Sequence, residues 1–246
     1  DGFLRPALKS KNIQLIKYAT ATRVQTENGR VRGIEFFTGN KKNVVKVRKG
    51  AILAAGAVNT PKLLLLSGIG PGKELTSHGI EVVHNETNIG KNLQDHLGID
   101  YLYETSADSL NKVLGTWTGR LKSAIAYLLF KKGPFSLSVN QGGGFVNWNS
   151  RNGSPNLQLY FNPLTYSIKR NSSKRELLKP DNFNGFAIGF QPCRPKSRGE
   201  VTLASKNAFA SPCIDPNFLS DESDMHDVIE GIKCIESFVT SKSLSD

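Results

Sequence analysis

The run Ala51-Ile52-Leu53-Ala54-Ala55, closed by Gly56 and followed by Thr60-Pro61 and then Lys62-Leu63-Leu64-Leu65-Leu66-Ser67-Gly68, constrains this chain more than any other feature. Five apolar residues without polar alternation form the pattern of a strand buried on both faces, which occurs where helices cover a sheet. Thr60 then predicts an N-cap, Pro61 the first helical position and Gly68 the stop. A buried strand leading directly into a helix is an α/β arrangement. Its junction presents unpaired N–H groups and a positive dipole end, which suits a phosphate or pyrophosphate. A plain strand-turn-helix without a ligand satisfies the same residues equally well.

Upstream, Ile13-Gln14-Leu15-Ile16 and Thr20 to Thr26 alternate apolar and polar residues, and Glu27-Asn28-Gly29 is a hairpin signal. Arg32 to Phe37 is the returning strand, and Thr38-Gly39-Asn40 turns the chain into Asn43 to Val47. Residues 13–47 therefore predict a small antiparallel meander, too polar to be a core by itself. Downstream, Leu121, Ile125, Leu128 and Leu129 share one face of a helix predicted over Leu121–Phe130, with packing as its expected role. Ser220 to Ser223 caps a second helix whose core face is Met225, Val228, Ile229, Ile232, Ile235 and Val239. In Ser138 to Phe145 three glycines permit close backbone approach, and Asn140 offers a hydrogen bond to a substrate; a tight turn without ligand fits the same residues.

Composition excludes little but points one way. With 246 residues, 38% hydrophobic and 22% charged, the chain can bury a substantial core in one or two domains. No stretch approaches the ~18 apolar residues of a spanning helix, so membrane insertion is not expected. The net charge of +11 comes from scattered groups such as Lys41-Lys42, Lys131-Lys132 and Lys169-Arg170, without interleaved aromatic platforms. A solvated surface accounts for it better than nucleic-acid binding. Cys193, Cys213 and Cys234 form no CxxC pair and read as reduced thiols, in keeping with a cytoplasmic location.

Two patterns in fixed order then carry a resemblance. Gly56-Ala57-Val58-Asn59-Thr60-Pro61-Lys62-Leu63-Leu64-Leu65-Leu66-Ser67-Gly68-Ile69-Gly70 resembles the second signature of the glucose-methanol-choline (GMC) oxidoreductases, and Asn88-Ile89-Gly90-Lys91-Asn92-Leu93-Gln94-Asp95-His96 follows at the family's spacing. Phe3 to Leu8, Arg194 to Val201 and Asp215 to Leu219 are similar to further family segments, so the resemblance covers essentially the whole chain.

The resemblance implies an incomplete Rossmann-like FAD-binding domain over residues 1–98. Residues 99–246 are then a substrate domain, incomplete at its C-terminal end, with an antiparallel sheet and flanking helices. FAD is the implied cofactor. Ala21 is expected to reach the adenine through its backbone; Ala55, Gly56, Asn92 and Asp95 lie near the cofactor. His96, Asn140 and Tyr160 are the expected pocket residues, with a structural histidine as the alternative for His96. The implied reaction oxidises a primary alcohol: a histidine takes the hydroxyl proton while the carbinol hydride passes to flavin. That histidine is expected downstream of Asp246, and the Gly-rich pyrophosphate unit upstream of Asp1, so no catalytic residue is assigned within this chain. The partners implied are a small alcohol and an unidentified electron acceptor.

Two departures bear on substrate. His96-Leu97-Gly98 lacks the carboxylate that choline-acting relatives place two residues beyond the histidine, which disfavours choline. Tyr160 stands where many relatives have histidine, and a phenol can donate a hydrogen bond but cannot act as a base near neutral pH. A flavin-containing hydroxynitrile lyase would keep the same cofactor segments, and a basic binding module is a rival from another class. Other chemistries fail on spacing. Ser67 stands where a phosphate loop needs its first glycine and Glu74 where it needs a hydroxyl. His78, Glu81 and His84 lie across a β-like stretch, so no metal site is expected. No GxSxG elbow occurs.

Overall fold

The computed structural model describes residues 2–138, 140–149, 153–167 and 179–242. Its main elements, in chain order, are β1 (Ala19–Glu27), β2 (Arg30–Thr38), β3 (Lys41–Lys46), α1 (Gly56–Leu66), β4 (Lys91–Leu93), β5 (Ile99–Glu104), α2 (Leu110–Gly115) and α3 (Trp117–Phe130). There follow β6 (Gly142–Val146), β7 (Leu157–Asn162), β8 (Gly185–Pro192), β9 (Gly199–Thr202), β10 (Cys213–Asp215) and α4 (Glu222–Val239). Helices and mainly antiparallel sheets give an α/β fold. The chain divides into two compact units: one holds everything through Gln94 and takes back Arg198–Asn217, and the other holds Asp95–Ser197 and the chain from Phe218 onward.

In the N-terminal unit the meander forms as its turns dictate. β1, β2 and β3 pair antiparallel in that order, and Asn28 and Gly29 both adopt positive φ, the requirement of a tight hairpin. Ile13 to Ile16, expected as a strand, are exposed and unpaired; alternation alone does not hold a strand that no neighbour meets. Only Val24 and Thr22 of β1 are buried.

α1 departs from expectation at its start and agrees at its end. The helix begins at Gly56, five residues before Pro61, which therefore lies inside it. Thr60 still contributes, its Oγ1 accepting the Ala55 N–H at 3.1 Å. Gly68 follows the C-cap with φ +83°, and an added Cβ would come 2.3 Å from the Glu81 carbonyl oxygen. Ala51–Ala55, expected as a doubly buried strand, is not a strand: no described strand pairs with it and Ile52 is 95% exposed. An apolar run becomes a strand only where partners complete its ladder. The inner side of α1 buries Leu63 and Leu65, and Leu65, Leu75 and Leu203 form the unit's core, each fully buried leucine contributing about 1.5–3 kcal/mol.

The C-terminal unit is a four-stranded antiparallel sheet in the order β5-β8-β7-β6 with α4 on one face. Leu157, Ile188 and Phe190 of the sheet pack on Val228, Cys234 and Ile235 of the helix. Asp221 caps α4 through the Ser223 N–H at 2.9 Å. Met225 and Ile229, expected in the core, are exposed. The helix seats instead on Gly231, where a Cβ would approach the Phe190 ring to 2.0 Å, so the closest contact follows the smallest side chain. α3 starts at Trp117 because Thr116 Oγ1 accepts the Gly119 N–H. Its face of Leu121, Ile125, Leu128 and Leu129, expected to pack, is exposed, since the helix rests on α2 and on the turn Pro134–Ser136.

Candidate functional site

The face of the C-terminal sheet opposite α4 is polar. Strand alternation puts Asp100 of β5, Gly189 and Gln191 of β8, and Gln158 and Tyr160 of β7 on that side. Gly189 pairs with Asp100 on one flank and with Tyr160 on the other. Nothing projects from the middle strand there, and the two side chains fill its space: a Cβ on Gly189 would lie 2.0 Å from Tyr160 Cε2 and 2.3 Å from Asp100 Oδ1. Gly98, just before β5, clears the other side, with the Tyr160 hydroxyl 3.0 Å from where its Cβ would be. Two glycines thus leave a shallow floor around one half-buried phenol.

Burial, then the negative charge of Asp100 and a hydrogen bond to it, then Tyr166, push the Tyr160 phenol well above its ordinary pKa. It therefore stays protonated at neutral pH and acts as a donor. Burial and the same Asp100 charge also raise Tyr166. Beside the pair, Gln191 Nε2 donates to Gln158 Oε1 at 2.9 Å and approaches His96 Nδ1 at 3.4 Å. His96 Nε2 lies 3.2 Å from the Cys193 carbonyl oxygen. A neutral ring with Nε2–H donating to that carbonyl and Nδ1 accepting from Gln191 satisfies both contacts.

The sequence-derived pocket residues all lie in this unit. Tyr160 is at the centre of the polar face and His96 at its edge, while Asn140 is exposed two residues before β6. Asp100, Gln158, Gln191 and the two glycines escaped the sequence reading. The alternation of Ile99-Asp100-Tyr101-Leu102-Tyr103-Glu104 announces a half-buried strand, but its partner becomes known only through β8.

Of the expected cofactor residues, Ala21 lies exposed on β1, directly before a bulge. β1 is an edge strand, so one row of its backbone groups is left free by β2. On that row the Val24 N–H is taken by Ser67 Oγ at 2.8 Å, and Ser67 Oγ in turn donates to the Leu63 carbonyl at 2.5 Å, which fixes α1 against β1. Ala55 is the N-cap of α1 and Gly56 its exposed first residue, with φ +86° and open space around it. Asn92 is exposed on β4 with φ +63°. Gly90, before it, also has positive φ and accepts the Val201 N–H at 2.7 Å. Asp95 belongs to the other unit, where its Oδ1 accepts the His96 N–H. Among the described residues no group of three or more His, Cys, Asp or Glu side chains is placed to hold a metal ion.

Known proteins match this arrangement. The family models described as GMC oxidoreductase fit residues 1–98 and 195–245. The chain is 35% identical over 247 residues to alcohol dehydrogenase [acceptor] of Pseudomonas putida, covering 99% of this chain and 44% of that protein. It is 34% identical over 228 residues to oxygen-dependent choline dehydrogenase of Brucella anthropi, covering 92% of this chain and 40% of the relative. Formate oxidase superposes with a TM-score of 0.83 at 23% identity, over 96% of this chain and 45% of its own. Pyridoxine 4-oxidase from Mesorbium loti gives 0.78 at 22%, over 100% and 43%. The chain belongs to the GMC oxidoreductase family, whose members are FAD-binding flavoproteins. It spans less than half the length of these relatives.

The donor set of the N-terminal unit fits that cofactor. FAD brings an adenine edge, an anionic pyrophosphate and an apolar ring system. The free row of β1 supplies uncharged backbone partners. α1 opens with no side-chain cap, so its first-turn N–H groups suit an anion. Ala51–Ala57 carries no charge, and its exposed residues, Ile52 among them, leave apolar surface open.

Proposed function

We propose that the polypeptide carrying this chain is an FAD-dependent oxidoreductase acting on the CH–OH group of a primary alcohol. The polar sheet face built on Asp100, Tyr160 and Gln191 is the observation that carries this reading, because it offers donors and acceptors for a hydroxyl over a floor cleared by Gly98 and Gly189. Residues 1–98, closed by the returning segment Arg198–Asn217, contribute to the FAD-binding domain and the remainder of residues 99–246 to the substrate domain. Ala21, Ala55, Gly56, Asn92 and Asp95 serve the cofactor, and His96, Asn140 and Tyr160 serve the pocket.

Bound FAD supplies the acceptor for the carbinol hydride. Within this chain, Tyr160 stays protonated because burial and Asp100 oppose its ionisation, and its one proton, given to Asp100 in the free site, turns to the substrate oxygen when the alcohol binds. His96 holds the floor through Cys193 and Gln191. The base that takes the alcohol proton is a histidine outside these residues.

The test is anaerobic mixing of the full-length flavoprotein with a panel of primary alcohols while the flavin absorbance is followed. The expected result is bleaching by at least one alcohol, slowed about 10- to 100-fold in Tyr160→Phe by loss of a charge-adjacent hydrogen bond. Absence of bleaching with every alcohol, together with cyanide release from a cyanohydrin, would move the protein to the lyase reading.

A further inference from the structure

The exposed face of α3 was expected to pack, and its composition says what covers it. Trp117, Leu121, Ile125 and Leu128 recur at i, i+4, i+8 and i+11, so they share one side of the helix. Ser123, buried, marks the opposite side, where the helix meets its neighbours. Trp117 is 75% exposed and Leu128 and Leu129 are 68% and 69% exposed. Leu137, just beyond the Pro134–Ser136 turn, extends the same apolar character.

Charge decides between occupants. From Trp117 to Leu137 the sequence has four basic residues, Arg120, Lys122, Lys131 and Lys132, and no acidic one. All four are exposed. On the helical wheel Arg120 and Lys122 fall on either side of the apolar stripe, and Lys131 and Lys132 follow its C-terminal end. A second copy docked through the same face would bring cations against cations in any register, because an isologous contact uses the same stretch twice and that stretch has no acidic residue. An anionic lipid surface meets both requirements, taking the apolar side chains among its acyl chains and the lysines at its headgroups.

We propose that α3 is an interfacial helix that seats the protein on an anionic membrane surface. It lies in the plane of the surface: no described helix is long and apolar enough to cross a membrane, and 14 residues of α3 span only about 21 Å. Lys131, whose Nζ sits 4.9 Å over the Tyr127 ring, is held at the helix end where headgroups would lie.

The test is sedimentation of the full-length protein with vesicles of phosphatidylcholine containing about 30% phosphatidylserine, against phosphatidylcholine alone. Binding to the anionic vesicles is expected to exceed binding to the neutral ones by about fivefold or more at low salt. Lys131→Glu with Lys132→Glu removes that preference. Leu128→Gln with Leu129→Gln weakens binding about tenfold or more, with circular dichroism reporting that the helices persist. Brominated lipid provides a measurement free of any destabilising change: it quenches tryptophan emission in the unsubstituted protein, and Trp117→Phe removes the quenched component while leaving the emission of Trp148, which packs on the core. The proposal is overturned if the protein does not sediment with anionic vesicles, if bound protein shows no quenching from Trp117, or if the leucine substitutions dissociate a dimer and leave vesicle binding unchanged.

Discussion

Asp100 and Tyr160 stand on strands that do not pair with each other, yet their side chains come together over Gly189 of the strand between them. The carboxylate adds to the burial that keeps the phenol protonated, and the glycine makes room for both.

Gly189→Ala should therefore damage the site more than the fold. Its methyl group would intrude to 2.0 Å from the Tyr160 ring and 2.3 Å from Asp100, and overpacking of this kind costs about 1–3 kcal/mol. The expected result in the full-length enzyme is kcat/KM lowered about tenfold or more with a smaller fall in the urea midpoint. Equal kinetics in the two proteins would remove the pair from the site.

Alkaline stability reports on the same phenol. Burial raises the pKa of Tyr160, Tyr103 and Tyr166 above the ordinary 10.0. Above that value the unfolded phenols ionise while the folded ones hold their protons, so the unfolded state binds fewer protons and stability falls as pH rises. Their contribution is complete below the unfolded pKa and is lost as pH climbs through the folded one. Urea midpoints measured between roughly pH 9 and pH 11 should drop less in Tyr160→Phe than in the unsubstituted protein; parallel drops would contradict the assignment.

Ser67→Ala tests how α1 is fixed to β1. Ser67 is almost fully buried, accepts the Val24 N–H and donates to the Leu63 carbonyl. Removing the hydroxyl strands a buried N–H, a loss of about 1–3 kcal/mol. Calorimetry should show a lowered Tm, and hydrogen exchange at the Val24 amide should quicken. An unchanged amide would mean that this bond does not hold the strand.

Gly231→Ala sets two effects against each other. Alanine improves helix propensity by about 1 kcal/mol, but its methyl group would overlap the Phe190 ring, which is fully buried, at a cost of about 1–3 kcal/mol. The net expectation is destabilisation, read as a lowered urea midpoint; a raised midpoint would show that α4 slides along the sheet without penalty.

Local chemistry made part of this fold legible. Asn28-Gly29 marks the first hairpin because only residues tolerant of positive φ fit there, and Gly68 marks the end of α1 for the same reason. Pro61 misled because proline suits the first helical turn, yet here it stands five residues further in, at the cost of the one backbone bond its missing N–H would have made. Met225 and Ile229 misled because periodicity names a face but not the angle at which a glycine lets a helix sink. Tyr160 was found by resemblance to a motif. Asp100 was not, since its meeting with Tyr160 depends on two strand registers through β8 and leaves no mark at either position.

β9 and β10, made only after the whole sheet of the C-terminal unit except its helix, return to pair with each other and with β4. The N-terminal unit is therefore closed by residues that leave the ribosome late, after Asp95–Ser197 has been synthesised as an insertion within it. The inserted unit must fold without pulling the two ends of its host apart. Once β4 has found β9, a single cut anywhere in the insertion no longer separates the halves of the N-terminal unit, because they are joined by hydrogen bonds as well as by chain.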